Sequence, residues 1–311
     1  MKKIIASQEF HKPVMVKEVL EAFEIGKGAH LKNLCIVDAT VGLGGHAKEF
    51  VKRGVFVIGI DADRESLKIA EEVLKKACPT FHISGGRCYK LLHGNFSQIK
   101  SLIQEFEGKN IKGFLFDLGI SSFQLDHLKR GFSYKNEDQD LDMRIDPESQ
   151  KVLAKDLIAL LDKKKLTEVF SQVMPFGASL KLANEIVRVR KIKPIETVGD
   201  FLQILKRLEK SKRSINTAAL ALLALRMAVN NERENLLSGL SLAFEVLERG
   251  GRIVVISFHS GEDRIVKQFF RQQEVLGKAK NLSKKPILPS YREISENPRS
   301  KSARMRIIEK L

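Results

Sequence analysis

The fold of this chain is decided by the stretch Asp38-Ala39-Thr40-Val41-Gly42-Leu43-Gly44-Gly45-His46. A β-branched apolar run, Ile36-Val37, precedes it, and a helix-compatible run, residues 47–51, follows it. In the order strand, glycine turn, helix, the backbone can approach a nucleotide-like ligand closely, because glycine has no side chain to block it. The stretch therefore predicts half of a cofactor site on an α/β fold.

A second apolar run, residues 55–60, ends on Asp61 and supplies the other half of the prediction. A carboxylate at the tip of the neighbouring strand can accept hydrogen bonds from both ribose hydroxyls of an adenosine. The spacing Gly42-x-Gly44-x-x-Ala47 also fits the looser dinucleotide fingerprint, so NAD and S-adenosylmethionine both remain admissible. A tight turn without any ligand is the alternative interpretation.

Two further runs predict strands that end in the same way. Residues 89–93 lead into Gly94-Asn95-Phe96, and residues 113–116 end on Asp117. Strands that alternate with helices at this spacing indicate right-handed βαβ units and a parallel sheet, whose ligands bind at the carboxyl ends of the strands. At that edge we expect Asp38, Gly42, Asp61, Phe96 and Asp117.

The alternation of predicted strands and helices stops in the middle of the chain. Helical patterns dominate there, most clearly at Val152 to Leu161, Ala178 to Lys191, Phe201 to Lys210 and Ile215 to Val229. Strands resume with residues 252–259, and a closing strand is predicted at residues 303–309. The sequence thus predicts a mostly parallel Rossmann-like domain, residues 1–128 and 230–311, interrupted by an all-helical insertion, residues 129–229.

The charge balance favours nucleic acid as a partner. The 311 residues carry a formal net charge of +16, with a pI near 9.7. The excess is concentrated in residues 181–213 and 276–306, and clustered cations suit a phosphate backbone. The candidate contacts in the second stretch are Lys284, Lys285, Arg299 and Lys301. A merely solvated lysine surface is the alternative.

Cysteine usage and hydropathy point to a cytoplasmic protein without a metal site. Cys35 reads as a small core residue, and Cys78 and Cys88 lack paired metal-ligand spacing, so we expect reduced thiols and no structural zinc. The longest apolar run, residues 218–225, is far shorter than the ~20 residues of a membrane helix. The N-terminus lacks the apolar region of a secretory signal.

Many ordered segments of this sequence match one known family. They include Gly42-Leu43-Gly44-Gly45-His46, His93-Gly94-Asn95-Phe96-Ser97, Asp117-Leu118-Gly119-Ile120-Ser121-Ser122, Leu141-Asp142-Met143-Arg144, Ser257-Phe258-His259-Ser260 and Asn297-Pro298-Arg299-Ser300. Over nearly its whole length the chain resembles the 16S rRNA cytosine-N4 methyltransferases, the family of ribosomal RNA small subunit methyltransferase H. The Asp-Leu-Gly-Ile-Ser-Ser and Ser-Phe-His-Ser segments are close to family-specific.

The resemblance implies a class I methyltransferase domain with an inserted helical substrate domain. It implies S-adenosylmethionine as methyl donor and, as acceptor, a cytidine in the decoding region of small-subunit rRNA, either as RNA or in the assembled subunit. Carried over by position, the implied donor-binding residues are Gly44, Gly45, His46, Asp61, Phe96, Asp117 and Gln124.

The chemistry needs an acceptor for a proton of the cytosine amine, whose lone pair is delocalised into the ring. Asp117 is the candidate catalytic residue, although it can equally serve the cofactor alone. Ser257 and His259 are candidates for contact with the target base. Elsewhere, we expect Arg226 to pair with an internal carboxylate, and Asp142, Arg144 and Asp146 to form a local ion-pair network.

Two other functions remain open on the sequence alone. A nicotinamide-dependent oxidoreductase would use the same glycine spacing. A non-catalytic RNA-binding assembly factor would explain why residues 216–223 depart from the family's usual pattern, with Leu220 in place of an arginine. The sequence leaves the oligomeric state open as well.

Overall fold

The computed structural model describes residues 12–26, 34–78, 88–106, 108–126, 128–208 and 214–311. These residues form two compact units. The first comprises the described residues up to Gly119 together with Glu234–Leu311, and the second is Ile120–Arg233. Within this part of the chain no helix is both long and apolar enough to cross a membrane.

The first unit is built on a seven-stranded sheet with the order β3-β2-β1-β4-β5-β7-β6. The strands are β1 Cys35–Asp38, β2 Phe56–Asp61, β3 Tyr89–His93, β4 Ile111–Asp117, β5 Arg252–Ser257, β6 Ala279–Asn281 and β7 Arg304–Lys310. Strands β1 to β5 pair in parallel, whereas β7 is antiparallel to both β5 and β6. The predicted mostly parallel Rossmann-like sheet is confirmed, and the short strand β6 is an addition to it.

The helices of both units are, in chain order, α1 Val16–Ala22, α2 Gly45–Val51, α3 Arg64–Ala77, α4 Ile99–Leu102, α5 Ser122–Asp126, α6 Ala154–Leu160, α7 Lys163–Ser171, α8 Phe176–Val189, α9 Val198–Leu208, α10 Ser214–Val229, α11 Glu232–Val246, α12 Ser260–Val275 and α13 Tyr291–Glu296. The four helical patterns predicted for the middle of the chain appear as α6, α8, α9 and α10. Helix α7 was not predicted.

The sheet buries both of its faces. Successive side chains of a strand point to opposite faces. Accordingly Val255 of β5 packs in one apolar cluster, and its neighbours Val254 and Ile256 pack in another. The same alternation runs through β4, where Leu115 lies between Phe114 and Phe116. Burial on both faces leaves the ends of the strands as the accessible part of the sheet.

The helical unit has a core of its own. Phe170 of α7 stacks on Phe201 of α9 at a centroid distance of 6.3 Å. Arg226 forms a two-bonded ion pair with Glu232 at 2.7 and 2.8 Å, which confirms the expected internal carboxylate. Arg144 likewise pairs with Asp142 through two bonds of 2.7 Å. These partly buried arginines therefore pair with carboxylates of their own unit.

One expectation about the cysteines is wrong. Cys78 and Cys88 form a disulfide across ten residues of sequence, with a Cα–Cα distance of 5.9 Å, whereas reduced thiols were expected. Cys78 ends α3 and Cys88 precedes β3, and the parallel pairing of β3 with β2 brings these two points together. Cys35 is free and buried in β1, as expected for a core residue.

Candidate cofactor-binding site

The turn between β1 and α2 has the conformation that its glycines predict. Gly42 and Gly44 have φ angles of 52° and 83°, in the left-handed region that other residues rarely adopt. A Cβ on Gly44 would lie 3.4 Å from the backbone of Ala70, and one on Gly45 would lie 3.0 Å from the Pro13 ring. Side chains larger than hydrogen would therefore strain this turn or push its neighbours away.

Asp61 ties the glycine turn to the end of β2. One carboxylate oxygen accepts a 2.8 Å hydrogen bond from the Gly42 amide, and the other accepts one of 2.8 Å from the Asp63 amide. Asp61 therefore holds the turn in addition to the ligand contact that the sequence predicts for it. Burial raises its pKa to about 6, against the opposing effect of these two amides.

Asp38 lies at the same edge, as predicted, and Thr40, which was not predicted, lies beside it. The Asp38 carboxyl is 1% exposed, and burial, with added repulsion from Asp117 and Asp61, raises its pKa to about 8. The Thr40 hydroxyl accepts a 2.7 Å hydrogen bond from the Asp117 amide and so fixes the end of β4. The sequence signal for both was their place at the end of β1.

Asp117 ends β4, and its two carboxyl oxygens have different surroundings. Its Oδ1 atom is buried and has no hydrogen-bond partner among the described residues. Its Oδ2 atom lies 3.6 Å from Nδ1 of His46, which is too long for a hydrogen bond. Burial, followed by the charge of Glu262, raises the Asp117 pKa to about 7. This carboxyl can change its protonation state near neutral pH.

His46 faces Asp117 as a neutral ring. Its Nε2 atom donates a 2.8 Å hydrogen bond to the Val14 carbonyl, which can only accept. Burial lowers the pKa of the imidazole to about 4, so Nδ1 carries a lone pair at neutral pH. The contact of Nδ1 with Asp117 is therefore not an ion pair, and His46 fixes residue 14 against the glycine turn.

Phe96 follows β3 in a short 3₁₀ turn that Asn95 caps by accepting a 2.8 Å hydrogen bond from Ser97. Its ring meets Phe116 edge to face at a centroid distance of 5.7 Å. A Cβ on Gly239 of α11 would lie 2.7 Å from the ring, so that glycine leaves room for it. The ring is only partly buried and is held at the carboxyl edge of the sheet.

The residues beyond β5 form a compact cap on α12. His259 accepts a 3.4 Å hydrogen bond from the Glu262 amide through Nδ1, and the Glu262 carboxylate accepts one of 3.3 Å from the His259 amide and another of 2.9 Å from the Phe258 amide. This reciprocal arrangement is a capping box. The His259 Nε2 atom lies 3.2 Å from a Glu262 oxygen but is not aligned with it, and it has no hydrogen-bond partner within the described chain. Glu262 was not among the predicted site residues, although its spacing from His259 is the signal of such a box.

The remaining predicted site residues have different surroundings. Ser257 is 2% exposed, and its hydroxyl donates to the Arg304 carbonyl inside the sheet. Gln124 belongs to the helical unit, where its side-chain oxygen accepts a 2.8 Å hydrogen bond from the Ser121 amide. The four predicted cations are all exposed, on the segment that joins β6 to β7: Lys284, Lys285, Arg299 and Lys301.

The sheet edge thus collects carboxyl groups rather than cations. Asp38, Asp61 and Asp117 end three adjacent parallel strands, and the pKa of each is raised. Such carboxyls gain their negative charge at lower free-energy cost when a cation binds beside them. A cationic ligand at the glycine turn therefore suits this edge better than an anionic one. No group of His, Cys, Asp and Glu in the described residues has the arrangement of a metal site.

Comparison with known proteins identifies the family. Residues 8–311 match the model of the MraW methylase family. The chain belongs to this family. The ribosomal RNA small subunit methyltransferase H of Pseudothermotoga lettingae is 38% identical to it over 307 residues, which cover 96% of this chain and 98% of that protein. The protein of the same name from Persephonella marina is 39% identical over 306 residues, covering 97% and 99%.

The family match confirms the resemblance and settles the general chemistry. This methylase uses S-adenosylmethionine as its methyl donor, and the two sequence relatives each align with nearly all of it. Among solved structures, an rRNA methylase from Streptococcus thermophilus aligns with a TM-score of 0.43 and 12% identity, over 97% of this chain and 99% of that one.

Proposed function

We propose that this methylase transfers a methyl group from S-adenosylmethionine to the N4 amine of a cytidine in the decoding region of 16S rRNA. The names of its relatives support an rRNA substrate of the small subunit. The net charge of +16 supports an RNA partner. The observation that carries the proposal is the cluster of Asp38, Asp61 and Asp117 beside a left-handed glycine turn.

The cluster favours the methyl donor over NAD for an electrostatic reason. S-adenosylmethionine carries a sulfonium and an ammonium against one carboxylate, so it is a net cation, whereas the pyrophosphate makes NAD a net anion. We infer that the backbone at Gly44 and Gly45 receives the methionine part, that Asp61 holds the ribose, and that Phe96 contacts adenine. His46 and Asp117 lie beside this path. The role of Gln124 as a donor contact stays a prediction.

The transfer step needs alignment and one proton acceptor. The N4 lone pair attacks the methyl carbon, and the carbon–sulfur bond breaks with its electron pair moving to sulfur. The product sulfur is a neutral thioether, and the new N-methyl nitrogen sheds one proton. We propose that the orphaned Oδ1 atom of Asp117 receives it. His259 Nε2, which bears a hydrogen because Nδ1 accepts, is proposed to donate to an acceptor on the base.

Donor binding is expected to release protons. Without the donor, the pKa values of Asp38, Asp117 and Asp61 are raised to about 8, 7 and 6, so part of the cluster is protonated at neutral pH. A cationic ligand favours the ionised forms, so its affinity should rise as the pH rises from 6 to 8. Titration calorimetry in two buffers of different ionisation enthalpy measures the protons released. NAD that binds with comparable affinity would contradict the donor assignment.

Asp61→Asn is expected to lower donor affinity by at least about tenfold. The substitution removes the charge from one or two charge-assisted hydrogen bonds to the ribose, each worth roughly 1.5–3 kcal/mol, and 1.4 kcal/mol is one decade in affinity. It also leaves only one oxygen to accept from the Gly42 and Asp63 amides. The neighbouring Asp63→Asn is a matched control, because Asp63 caps α3 and asparagine caps nearly as well. Equal losses in the two variants, measured by calorimetry, would show that the Asp61 effect is structural.

The nucleosides of 16S rRNA from cells that lack this gene test the whole proposal. Mass spectrometry should show that N4-methylcytidine is lost and that it returns when the gene is restored. An unchanged level would contradict the cytidine N4 target. A purified protein that binds small subunits but never consumes the methyl donor would instead support the assembly-factor function.

A further inference from the structure

Tyr291 is the most exposed large apolar side chain of the described residues. It is 93% exposed at the start of α13, and Leu288, three residues before it, is 61% exposed. A tyrosine that is almost wholly in solvent contributes nothing to the core. Single exposed apolar residues are common, so exposure alone assigns no role to Tyr291. The hydrogen-bonded backbone beneath Tyr291 and the charges around it are what assign one.

The backbone beneath Tyr291 is fixed by hydrogen bonds. The Ser290 hydroxyl caps α13 by accepting from the Glu293 amide at 3.1 Å. The Glu293 carboxylate accepts a 2.6 Å hydrogen bond from the Met15 amide. The Asn297 side chain donates one of 3.0 Å to the Lys12 carbonyl. An aromatic side chain on such a support can receive a flat ligand with little loss of backbone entropy.

The same contacts place Tyr291 on the donor-site side of the sheet. Residues 12–15 touch α13 on one side, and on the other they touch the glycine turn through the hydrogen bond from His46 to Val14. The segment before α13 is anchored by the bridge between Ile287 and Met305. Met305 pairs with Ile256, next to the carboxyl end of β5. Tyr291 therefore lies along the edge at which the carboxyl ends of the parallel strands converge.

The charges around Tyr291 are mainly positive. The segment 284–301 contains five basic residues and two acidic ones. Both acidic side chains are already engaged, Glu293 by the Met15 amide and Glu296 by Lys12 and Arg292. Lys284 and Lys285 are exposed on the same segment. An exposed ring among cations is the combination that binds single-stranded nucleic acid, with bases stacked on the ring and phosphates held by the cations.

We propose that Tyr291 is a stacking platform for an unpaired base of the RNA substrate, with the adjacent phosphates held by Lys284 and Lys285. The proposal rests on the proposed rRNA function and deepens it. It assigns to the methyltransferase unit its own contact with single-stranded RNA, outside the reacting nucleotide. Stacking is tolerant of base identity, so this contact positions the strand rather than reading its sequence.

The test is binding of a short single-stranded RNA to the full-length protein across a salt series. Tyr291→Ala should weaken binding by about tenfold, in the range measured for loss of one stacked base. The dependence of affinity on salt should not change, because no charge is lost. Tyr291→Phe should bind as the wild type does, because the ring is retained. Val275→Ala, which removes another exposed apolar side chain of the same unit, serves as the matched control and should leave binding unchanged.

Three results would contradict the proposal that Tyr291 is a stacking platform. Tyr291→Ala could bind RNA as tightly as the wild type. Tyr291→Phe could lose as much affinity as Tyr291→Ala, in which case the hydroxyl and not the ring is used. Tyr291→Ala could fail on assembled small subunits while binding RNA normally, in which case the occupant is a protein. Failure of the proposed function is distinguishable, because there the wild type itself would not methylate the RNA, whatever the effect of Tyr291→Ala on binding.

Discussion

Asp117→Asn is expected to lower kcat by at least about 100-fold, because a positioned proton acceptor contributes roughly 10²- to 10⁴-fold to such a step. The substitution keeps the size of the side chain but removes its ability to accept a proton. It should affect KM for the donor less than kcat, because the lost interaction is made in the transition state. Steady-state kinetics with saturating RNA separate the two parameters.

The pH dependence gives a second readout of the same variant. With the Asp117 pKa raised to about 7 by burial and by Glu262, the fraction of ionised base falls as the pH drops through that value. The wild-type kcat/KM should therefore decrease on the acid side, and the decrease should be smaller in Asp117→Asn. The groups that face this carboxyl are His46, Asp38 and Glu262, and of these Asp38 titrates nearby, at about pH 8.

Asp38→Asn is the matched control for Asp117→Asn. Asp38 ends the adjacent strand and, without the donor, is mostly protonated at neutral pH, so an amide of the same shape replaces a carboxyl that is not the proposed proton acceptor. Its kcat should stay close to the wild-type value. If Asp38→Asn and Asp117→Asn lose the same activity, the cluster acts only as an electrostatic unit and Asp117 is not the proton acceptor. If Asp117→Asn raises only KM for the donor, its role is donor binding.

The sequence predicted those parts of the site that local patterns determine. The glycine turn, the strand that ends on Asp61 and the strand that ends on Asp117 each follow from a short run of residues. Parallel pairing then places their ends at one edge, as the order of β2, β1 and β4 in the sheet confirms. The hydrogen bond from Gly42 to Asp61 follows less directly, because it depends on how closely the turn approaches β2.

Contacts between segments that are distant along the chain could not be predicted from the sequence. The Val14 carbonyl that fixes the His46 tautomer lies 32 residues away, and no pattern links the two. The charge of Glu262 reaches Asp117 only because β5 pairs with β4. The disulfide between Cys78 and Cys88 depends in the same way on the register of β3 with β2. In each case the missing information was tertiary.

Helix α7 shows a different limit. It begins with three lysines, Lys163 to Lys165. This charged first turn interrupts the apolar periodicity, so the buried face formed by Leu166 and Phe170 is hard to recognise in the sequence. Its start signal is the Asp162 side chain, which accepts a 2.8 Å hydrogen bond from the Lys165 amide. The cap was present in the sequence, but a short helix with two buried large residues gives too little periodicity to be recognised.

Neutralising Lys284, Lys285, Arg299 and Lys301 together is expected to weaken RNA binding by on the order of 10²- to 10³-fold at 0.1 M salt. Each lost phosphate contact should flatten the slope of log affinity against log salt by about 0.7 for single strands and about 0.9 for duplex. The magnitude of this slope should therefore be smaller by up to about 3 in the quadruple variant. Donor affinity should not change, because these side chains lie outside the glycine turn and the carboxyl cluster.

A control with the same change of charge is available at the opposite edge of the sheet. Lys52, Arg53, Lys75 and Lys76 are exposed where α2 and α3 lead into the amino ends of β2 and β3. Neutralising them should leave most of the slope in place. If both quadruple variants lose the same slope, the effect comes from net charge alone and the segment between β6 and β7 is an ordinary solvated surface. If the first variant alone loses it, RNA contacts the segment between β6 and β7, beside the edge at which we propose that the methyl group is transferred.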